Sequence, residues 1–535
     1  MLITRDVVSA FAGALLLSLL VFENCSEVKF DKTELPLTAQ CHDAGSEEVK
    51  PKVKWDWYAE LAASPDPSFP SFNQVMAAPM VADLDGDGVP EVVVDTFSVV
   101  ATDKLSDSPG NTYSGNGVMR ILDGKTGRTK HSIGGADLAP IGALSPLLID
   151  LDGDGNVEVI YMHYKLSFVI ALNSDASLRW KFALPTPLAG VFYSGLTGSD
   201  LDHDGRAEVS VGPYLIGEDS VRVPYVFATL PGVQSQTHQT TIAMPLDPAH
   251  PEVQFLITPS GIYKGAGQLV ATFAKTASYL AAADLYPEID GIEIVATGGG
   301  GLTIYNGLSG EIIKDIDLSL YNELVCGAKG VGGGPPSIGD FDGDPATLEI
   351  AVATGRHLTI FERDGVPKYK TTTQDCSSLR TGVTSFDLNG DKKPEVLYAD
   401  EEYLRIFEIQ NGILVPIHKI VNPTGTLLEF PVVADITGEH WANMLVASNN
   451  YAAKAFYKDA DELVDAAEAV GITGLRAFES SAKRSWMPTR PLWNQFSFHP
   501  DLFTDGARLI SAPVFDKTIF RRNNQGFGLT NNCAK

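Results

Sequence analysis

The chain has little basic charge, few cysteines and no sustained helical heptads. It holds 40 Lys and Arg residues against 67 Asp and Glu residues, so its formal net charge is −27. A chain this acidic is repelled by phosphates, which argues against a nucleic-acid partner and against an anionic membrane surface. Its five cysteines form no C-x-x-C pair, so the sequence offers neither a zinc ribbon nor a thioredoxin-type motif.

Only the N terminus carries a long apolar run. Residues 7–22 are uncharged and follow Arg5, and the run is shorter than the ~20 residues of a membrane span. We predict that residues 1–24 are a signal peptide or an anchor and that residues 25–51 are a linker. The protein is then secreted or at the cell surface, as in a bacterial envelope. Plain secretion, lipid attachment at Cys25 and an uncleaved anchor all stay open, and only the last two would bring the chain to a membrane.

What the sequence does contain is a repeated acidic loop between two β-rich runs. The pattern is D-x-D-x-D-G-x-x-E, as in MVADLDGDGVPEVVVD. The loops start at four clear first aspartates and three weaker ones: Asp83, Asp150, Asp200 and Asp387, and then Asp284, Asp340 and Asp435. The weaker loops at Asp284 and Asp435 have lost acidic positions, so whether they bind an ion stays open.

This spacing is typical of calcium chemistry, because Ca²⁺ takes about six to eight hard oxygen ligands in a flexible shell. Carboxylates at positions 1, 3, 5 and 9 and a carbonyl at position 7 can converge on one ion. We expect about four to five bound ions. The predicted ligands are Asp83, Asp85, Asp87, Val89 and Glu91; Asp150, Asp152, Asp154, Asn156 and Glu158; Asp200, Asp202, Asp204, Arg206 and Glu208; Asp340, Asp342, Asp344 and Glu349; and Asp387, Asn389, Asp391, Lys393 and Glu395.

The EF-hand is the rival interpretation of these loops, and two features argue against it. An EF-hand needs a bidentate glutamate at position 12 and a helix on each side. Position 12 is Val94, Tyr161, Val211 or Tyr398 in the clear copies, and the flanking runs are short and β-branched. The ions have two open roles, either as structural staples or as centres that also hold an external ligand.

Each loop is followed by two more β-rich runs joined by a turn, as in GVMRILDGKTGRTKHS. A four-stranded unit repeated about every 40–50 residues is typical of a propeller blade. The units resemble FG-GAP/VCBS repeats, the blades of integrin-α-type propellers, over residues 52–480. This resemblance implies an all-β, seven-bladed β-propeller with Ca²⁺ in its D-x-D-x-D-G loops, and we expect residues 481–535 to be a C-terminal extension packed on it. No integrin-type adhesion motif is present, so integrin-like ligand binding is not implied.

The last unit supplies only three recognisable strands. We predict that residues 52–59, KVKWDWYA, close the ring as its fourth strand, with the run near Trp486 as the alternative. The interval of 84 residues between Asp200 and Asp284 is interpreted as a blade with an inserted surface segment.

Further expectations concern the cysteines and one helix. Cys326 and Cys376 occupy similar positions in neighbouring units, so we predict a disulfide between them. Cys41 and Cys533 would then join the two tails. Residues 458–470 are the best helix candidate outside the N terminus.

The sequence shows no nucleophile motif and no acid pair outside the loops. We therefore predict that the protein is not an enzyme. The prediction is a calcium-stabilised binding or adhesion module that recognises an extracellular protein or glycan. Two alternatives stay open, namely a carbohydrate-active lyase or hydrolase built on a propeller face, and a structural component of the envelope.

Overall fold

The computed structural model describes residues 49–523 with the exception of short segments, namely 64–65, 67, 109–111, 190–194, 234–239, 276, 322–332, 355, 376–380, 451–471, 483–485 and 515. The predicted signal segment, all five cysteines with their two predicted disulfides, and the predicted helix at 458–470 lie outside the described residues. The described residues all belong to one structural unit, residues 43–528. None of the described helices is long and apolar enough to cross a membrane.

The described part of the chain forms 33 strands and one α-helix. It begins with β1 (Pro51–Asp56) and α1 (Trp57–Ala63). The strands of blades one to four follow: β2 (Gln74–Val75), β3 (Met80–Ala82), β4 (Glu91–Phe97), β5 (Val118–Asp123) and β6 (Thr129–Ile133); β7 (Leu147–Ile149), β8 (Glu158–Met162), β9 (Phe168–Leu172) and β10 (Leu178–Ala183); β11 (Thr197–Ser199), β12 (Glu208–Val211), β13 (Tyr214–Glu218) and β14 (Pro224–Thr229); β15 (Ile242–Pro245), β16 (Gln254–Thr258), β17 (Gly261–Lys264) and β18 (Gln268–Thr272).

Blades five to eight complete the set. Their strands are β19 (Tyr279–Ala283), β20 (Glu293–Gly298), β21 (Gly301–Asn306) and β22 (Ile312–Asp317); β23 (Ser337–Gly339), β24 (Glu349–Thr354), β25 (His357–Glu362) and β26 (Pro367–Thr372); β27 (Thr384–Phe386), β28 (Glu395–Ala399), β29 (Tyr403–Gln410) and β30 (Ile413–Val421); β31 (Val432–Ala434), β32 (Asn443–Ser448) and β33 (Gly474–Ser480). Short 3₁₀ helices lie at Ala101–Asp103, Thr112–Ser114, Leu318–Tyr321 and Pro500–Leu502.

Each blade is an antiparallel meander that runs outwards from the centre of the ring. First strands of neighbouring blades contact each other, as β3 does with β7 and β7 with β11. These inner strands and the second strands are buried, which explains their continuous apolar runs, whereas fourth strands such as β6 are largely exposed. Loops between first and second strands and between third and fourth strands therefore share one face of the ring, the upper face. The other connections form the lower face.

The number of blades corrects one prediction. The all-β propeller is confirmed, but the structure has eight blades rather than seven. The interval between Asp200 and Asp284, which we interpreted as carrying an insertion, contains the complete blade β15–β18. Its upper loop, residues 246–253, lacks the D-x-D-x-D pattern. A search for acidic loops could not detect this blade for that reason.

The N-terminal strand closes the ring, as predicted, although in blade eight and over Pro51–Asp56 only, since residues 57–59 begin α1. β1 pairs antiparallel with β33, with Pro51 opposite Ser480. The indole N–H of Trp55 donates to the carbonyl of Gly124 in blade one at 2.8 Å. Trp57, at the start of α1, is fully buried. The first described residues thus tie the last blade to the first.

Residues 486–523 form a central segment that runs around the inside of the ring. It contacts inner strands or upper loops in ring order, through Pro488 with Trp441 of blade eight, Trp493 with Val81 of blade one, Asn494 with Leu148 of blade two, Gln495 with Gly198 of blade three, Lys517 with Asp284 of blade five, Phe520 with Ile338 of blade six and Arg522 with Ser385 of blade seven. The side chains of Trp493, Phe498 and Phe520 are fully buried there. Aromatic side chains therefore fill the space between the inner strands.

Candidate metal centres

The acidic loops are shaped by hydrogen bonds to their own carboxylates. In blade one, Asp83 accepts the N–H groups of Gly86 and Gly88, both at 2.9 Å, and Asp87 accepts that of Val89 at 2.8 Å. Gly88 has a φ angle of 86°, in the left-handed region that favours glycine. These side-chain-to-backbone turns hold the carboxylates on the inside of the loop before any ion binds.

Four loops on the upper face bring several carboxylates together. One oxygen of each member lies within 4.8 Å of the others in four groups: Asp83, Asp85 and Glu91; Asp150, Asp152 and Glu158; Asp200, Asp202, Asp204 and Glu208; and Asp340, Asp342 and Glu349. Two unit charges about 4 Å apart near a protein surface interact by about 4 kcal/mol, so such groups are stabilised by a cation. Hard carboxylate oxygens in a short loop are ligands that Ca²⁺ prefers.

The remaining predicted ligands lie outside these four groups. The fifth-position residues Asp87, Asp154 and Asp344 are not members of the groups in their own loops. In blade seven, where Asn389 replaces an aspartate, the described acids form no group of this kind. The seventh-position residues donate their N–H groups to the preceding acid, namely Val89 to Asp87, Asn156 to Asp154, Arg206 to Asp204 and Lys393 to Asp391.

The glutamate that starts the second strand has a structural role that the sequence did not reveal. It is the ninth residue of the loop in four blades and the tenth in the loops that start at Asp284 and Asp340. One of its oxygens accepts the N–H group of the second loop residue at 2.7 to 3.0 Å in six blades, in the pairs Glu91 with Leu84, Glu158 with Leu151, Glu208 with Leu201, Glu293 with Leu285, Glu349 with Phe341 and Glu395 with Leu388. Gln254 and Asn443 start the equivalent strands in blades four and eight. The glutamate thus fastens the loop to the second strand and leaves one oxygen for a cation.

A substitution at Glu395 tests this fastening role. Glu395 is fully buried and accepts the Leu388 N–H group at 2.7 Å. Glu395→Leu leaves this buried N–H group without an acceptor, which costs about 1–3 kcal/mol, whereas Glu395→Gln keeps an acceptor. Urea unfolding in excess chelator should therefore rank the leucine variant clearly below the glutamine variant. Equal stabilities of the two variants would refute the role.

Three of the four acidic groups contact a basic side chain from the outermost strand of their own blade. The contacts are Lys130 Nζ to Asp85 Oδ2 (2.6 Å) and Glu91 Oε1 (2.7 Å), Arg179 to Asp152 Oδ2 (2.5 Å) and Glu158 Oε1 (2.8 Å), and Lys368 Nζ to Asp342 Oδ2 (2.6 Å) and Glu349 Oε1 (3.2 Å). Each of these lysine or arginine side chains bridges the third residue of its loop and the glutamate that starts the second strand. Part of the carboxylate charge is therefore already compensated in these three blades.

The group in blade three differs from the others. Among the described residues, no Lys or Arg forms an ion pair with its four acids. The Oδ1 atom of Asp200 is buried and has no hydrogen-bond partner, as is also the case for Asp150 Oδ1 in blade two. Burial raises the pKa of Glu208 to about 8, and the nearby charges of Asp200, Asp202 and Asp204 act in the same direction. Four hard-oxygen donors without a counter-charge suit a divalent cation such as Ca²⁺.

A second feature lies on the lower face of blade five. A cavity of about 420 Å³ lies beside the turn Gly298–Gly301. Lys275 and Asp315 form an ion pair at its rim, and Thr303 donates to Asp315 at 3.1 Å. Asp317 adds another exposed carboxylate. This blade-five cavity offers both donors and acceptors to a small polar ligand.

Comparisons with known proteins identify the fold but no family. No protein-family model matches the sequence, and no curated protein matches it at a significant level. Among solved structures, the V. cholerae biofilm matrix protein Bap1 matches with a TM-score of 0.65 and 15% identity, over 89% of this chain and 99% of Bap1. The Bacillus licheniformis rhamnogalacturonan lyase PL11 matches with a TM-score of 0.53 and 15% identity, over 84% and 79%. Rhamnogalacturonan lyase YesW matches with a TM-score of 0.51 and 16% identity, over 86% and 79%.

These similarities define the class of the protein and correct one prediction. The chain is an eight-bladed β-propeller, and no match confirms the FG-GAP/VCBS resemblance. The prediction that the protein is not an enzyme is contradicted by these comparisons, because the propeller fold that it shares with rhamnogalacturonan lyases is compatible with enzymatic activity. The absence of a recognisable motif in the sequence was not sufficient ground to exclude catalysis.

Proposed function

We propose that the protein is a calcium-stabilised extracellular propeller that acts as a binding or adhesion module for a glycan. The acidic groups on the upper face carry the proposal, because each places several carboxylate oxygens within 4.8 Å of one another. A bound Ca²⁺ would neutralise these charges. It would also tie the first strand of a blade to the second, since its ligands come from the loop that joins them and from the start of the second strand.

The blade-five cavity favours a glycan over a protein as the partner. Its volume of about 420 Å³ lies within the ~300–1,000 Å³ of small-molecule sites. Lys275, Asp315, Asp317 and Thr303 supply donors and acceptors that suit sugar hydroxyl groups. The extracellular location is supported by the predicted signal segment and by the fold shared with Bap1, a biofilm matrix protein. Lipid attachment at Cys25 is part of the same proposal only if the signal segment is cleaved there.

A polysaccharide array with the purified protein in Ca²⁺ and in chelator tests the proposal. We expect binding to at least one glycan, and we expect it to weaken by about tenfold in a Lys275→Met, Asp317→Asn double variant. Lys264→Met, which removes an exposed lysine of β17, is the matched control. Absence of any bound glycan, or equal binding by the double variant and the control, would contradict the glycan site. A partner that is found only in protein pull-downs would replace the glycan by a protein.

A carbohydrate-active enzyme is the second candidate, because rhamnogalacturonan lyases share this fold. Incubation with acidic polysaccharides, followed by the ultraviolet absorbance of unsaturated ends and by reducing-end release, distinguishes a lyase from a hydrolase. Turnover at either readout would move the assignment from a binding module to an enzyme.

A further inference from the structure

The three basic side chains in the acidic loops share one structural position. In blade one, Thr129 of β6 lies opposite Leu122 and His131 lies opposite Ile121, so Lys130 is the extra residue of a β-bulge. The pairings of β10 and β26 skip Arg179 and Lys368 in the same way. A bulge turns the extra side chain away from the regular alternation of the strand. In these three blades the bulge directs a lysine or arginine side chain to the adjacent acidic loop.

The strand register identifies the equivalent residue in blade three. Leu122 lies opposite Val92, the residue after Glu91. In blade three, the residue after Glu208 lies opposite Ile216. Ile216 pairs with Val226, and the next pair skips Phe227.

An apolar side chain therefore occupies the bulge of blade three. Phe227 packs against the hydrophobic cluster that includes Leu201 and Leu215. It leaves the four acids of this blade without the cation that blades one, two and six supply. The buried Oδ1 atom of Asp200 in this group has no hydrogen-bond partner, which leaves it available to an ion. Asp150 Oδ1 in blade two is unpartnered as well, so what distinguishes blade three is the missing lysine or arginine.

We propose that the bulge residue of the outermost strand decides how tightly each acidic loop binds a divalent cation, and that blade three is the primary site. This inference rests on the proposed calcium binding. In blades one, two and six, an incoming ion meets a lysine or arginine nitrogen within about 3 Å of the same carboxylate oxygens, and like charges at that distance repel. Blade seven also has an apolar bulge residue, Ile417, but Asn389 removes one carboxylate from its loop.

Two opposite substitutions test the proposal by calorimetric titration of the metal-free protein with CaCl₂. Phe227→Lys places a lysine at the bulge of blade three, at the position that Lys130 occupies in blade one. We expect the affinity of the tightest Ca²⁺ site to fall by about tenfold or more. Phe227→Leu is the control, which keeps an apolar bulge and should keep the affinity. Lys130→Met removes the positively charged side chain from the acidic loop of blade one and should convert this loop into an additional tight Ca²⁺ site.

The outcomes separate this inference from the proposed function. If the wild-type protein binds no Ca²⁺, calcium stabilisation itself fails. If the wild type binds Ca²⁺ while Phe227→Lys and Phe227→Leu bind it equally, the bulge rule is wrong and calcium binding stands. If Phe227→Lys does not fold, Lys130→Met decides, because an unchanged number of tight sites in that variant overturns the rule.

Discussion

A chain that begins at residue 61 should aggregate or fail to fold, whereas a chain that begins at residue 49 should fold normally. The longer deletion removes β1, the fourth strand of blade eight, and exposes β33 as an open sheet edge. It also removes Trp55 and Trp57, which are 6% and 0% exposed. Loss of one buried tryptophan costs about 3–5 kcal/mol, and a whole domain is stable by only about 5–15 kcal/mol.

Size-exclusion chromatography and thermal unfolding of the two truncated proteins measure this effect. The chain that begins at residue 49 keeps every described contact of β1 and serves as the control. A soluble monomer of normal stability from residue 61 would mean that β1 does not close the ring.

The sequence predicted the features that depend on local patterns. The strands on both sides of Asp83 and the hairpin after Val118 follow from short apolar runs bounded by turn residues. Ring closure by the strand that contains Trp55 could be inferred because the last unit lacked a fourth strand. The prediction worked because each blade repeats one arrangement, so that a missing part is visible.

Features that depend on contacts between distant residues could not be predicted. Blade four was missed because Gln254 stands where six other blades have glutamate and because its loop has no aspartate series. The central segment contains no repeat, and its course depends on contacts between residues that are distant in sequence, such as Trp493 with Val81. The contact of Lys130 with the acidic loop of blade one could not be predicted for a similar reason, since Lys130 lies 45 residues after Asp85.

Removal of calcium should have the second large effect, a marked fall in thermal stability. An ion that binds only the folded chain stabilises it by about 2.7 kcal/mol when its concentration is one hundred times its dissociation constant. Several occupied loops add their contributions, and chelation leaves their carboxylates to repel one another. Because the loops lie on separate blades, their losses should be roughly additive.

The most direct test of the account is the melting temperature of the protein, measured in excess CaCl₂ and again in excess chelator after metal analysis shows that no ion remains. An Asp202→Asn, Asp204→Asn double variant, which lowers the charge of the blade-three group while keeping its size, is measured beside the wild type. The account predicts a clear fall of the wild-type melting temperature on chelation and a smaller fall in the variant. Identical melting curves of the wild type in calcium and in chelator would contradict it.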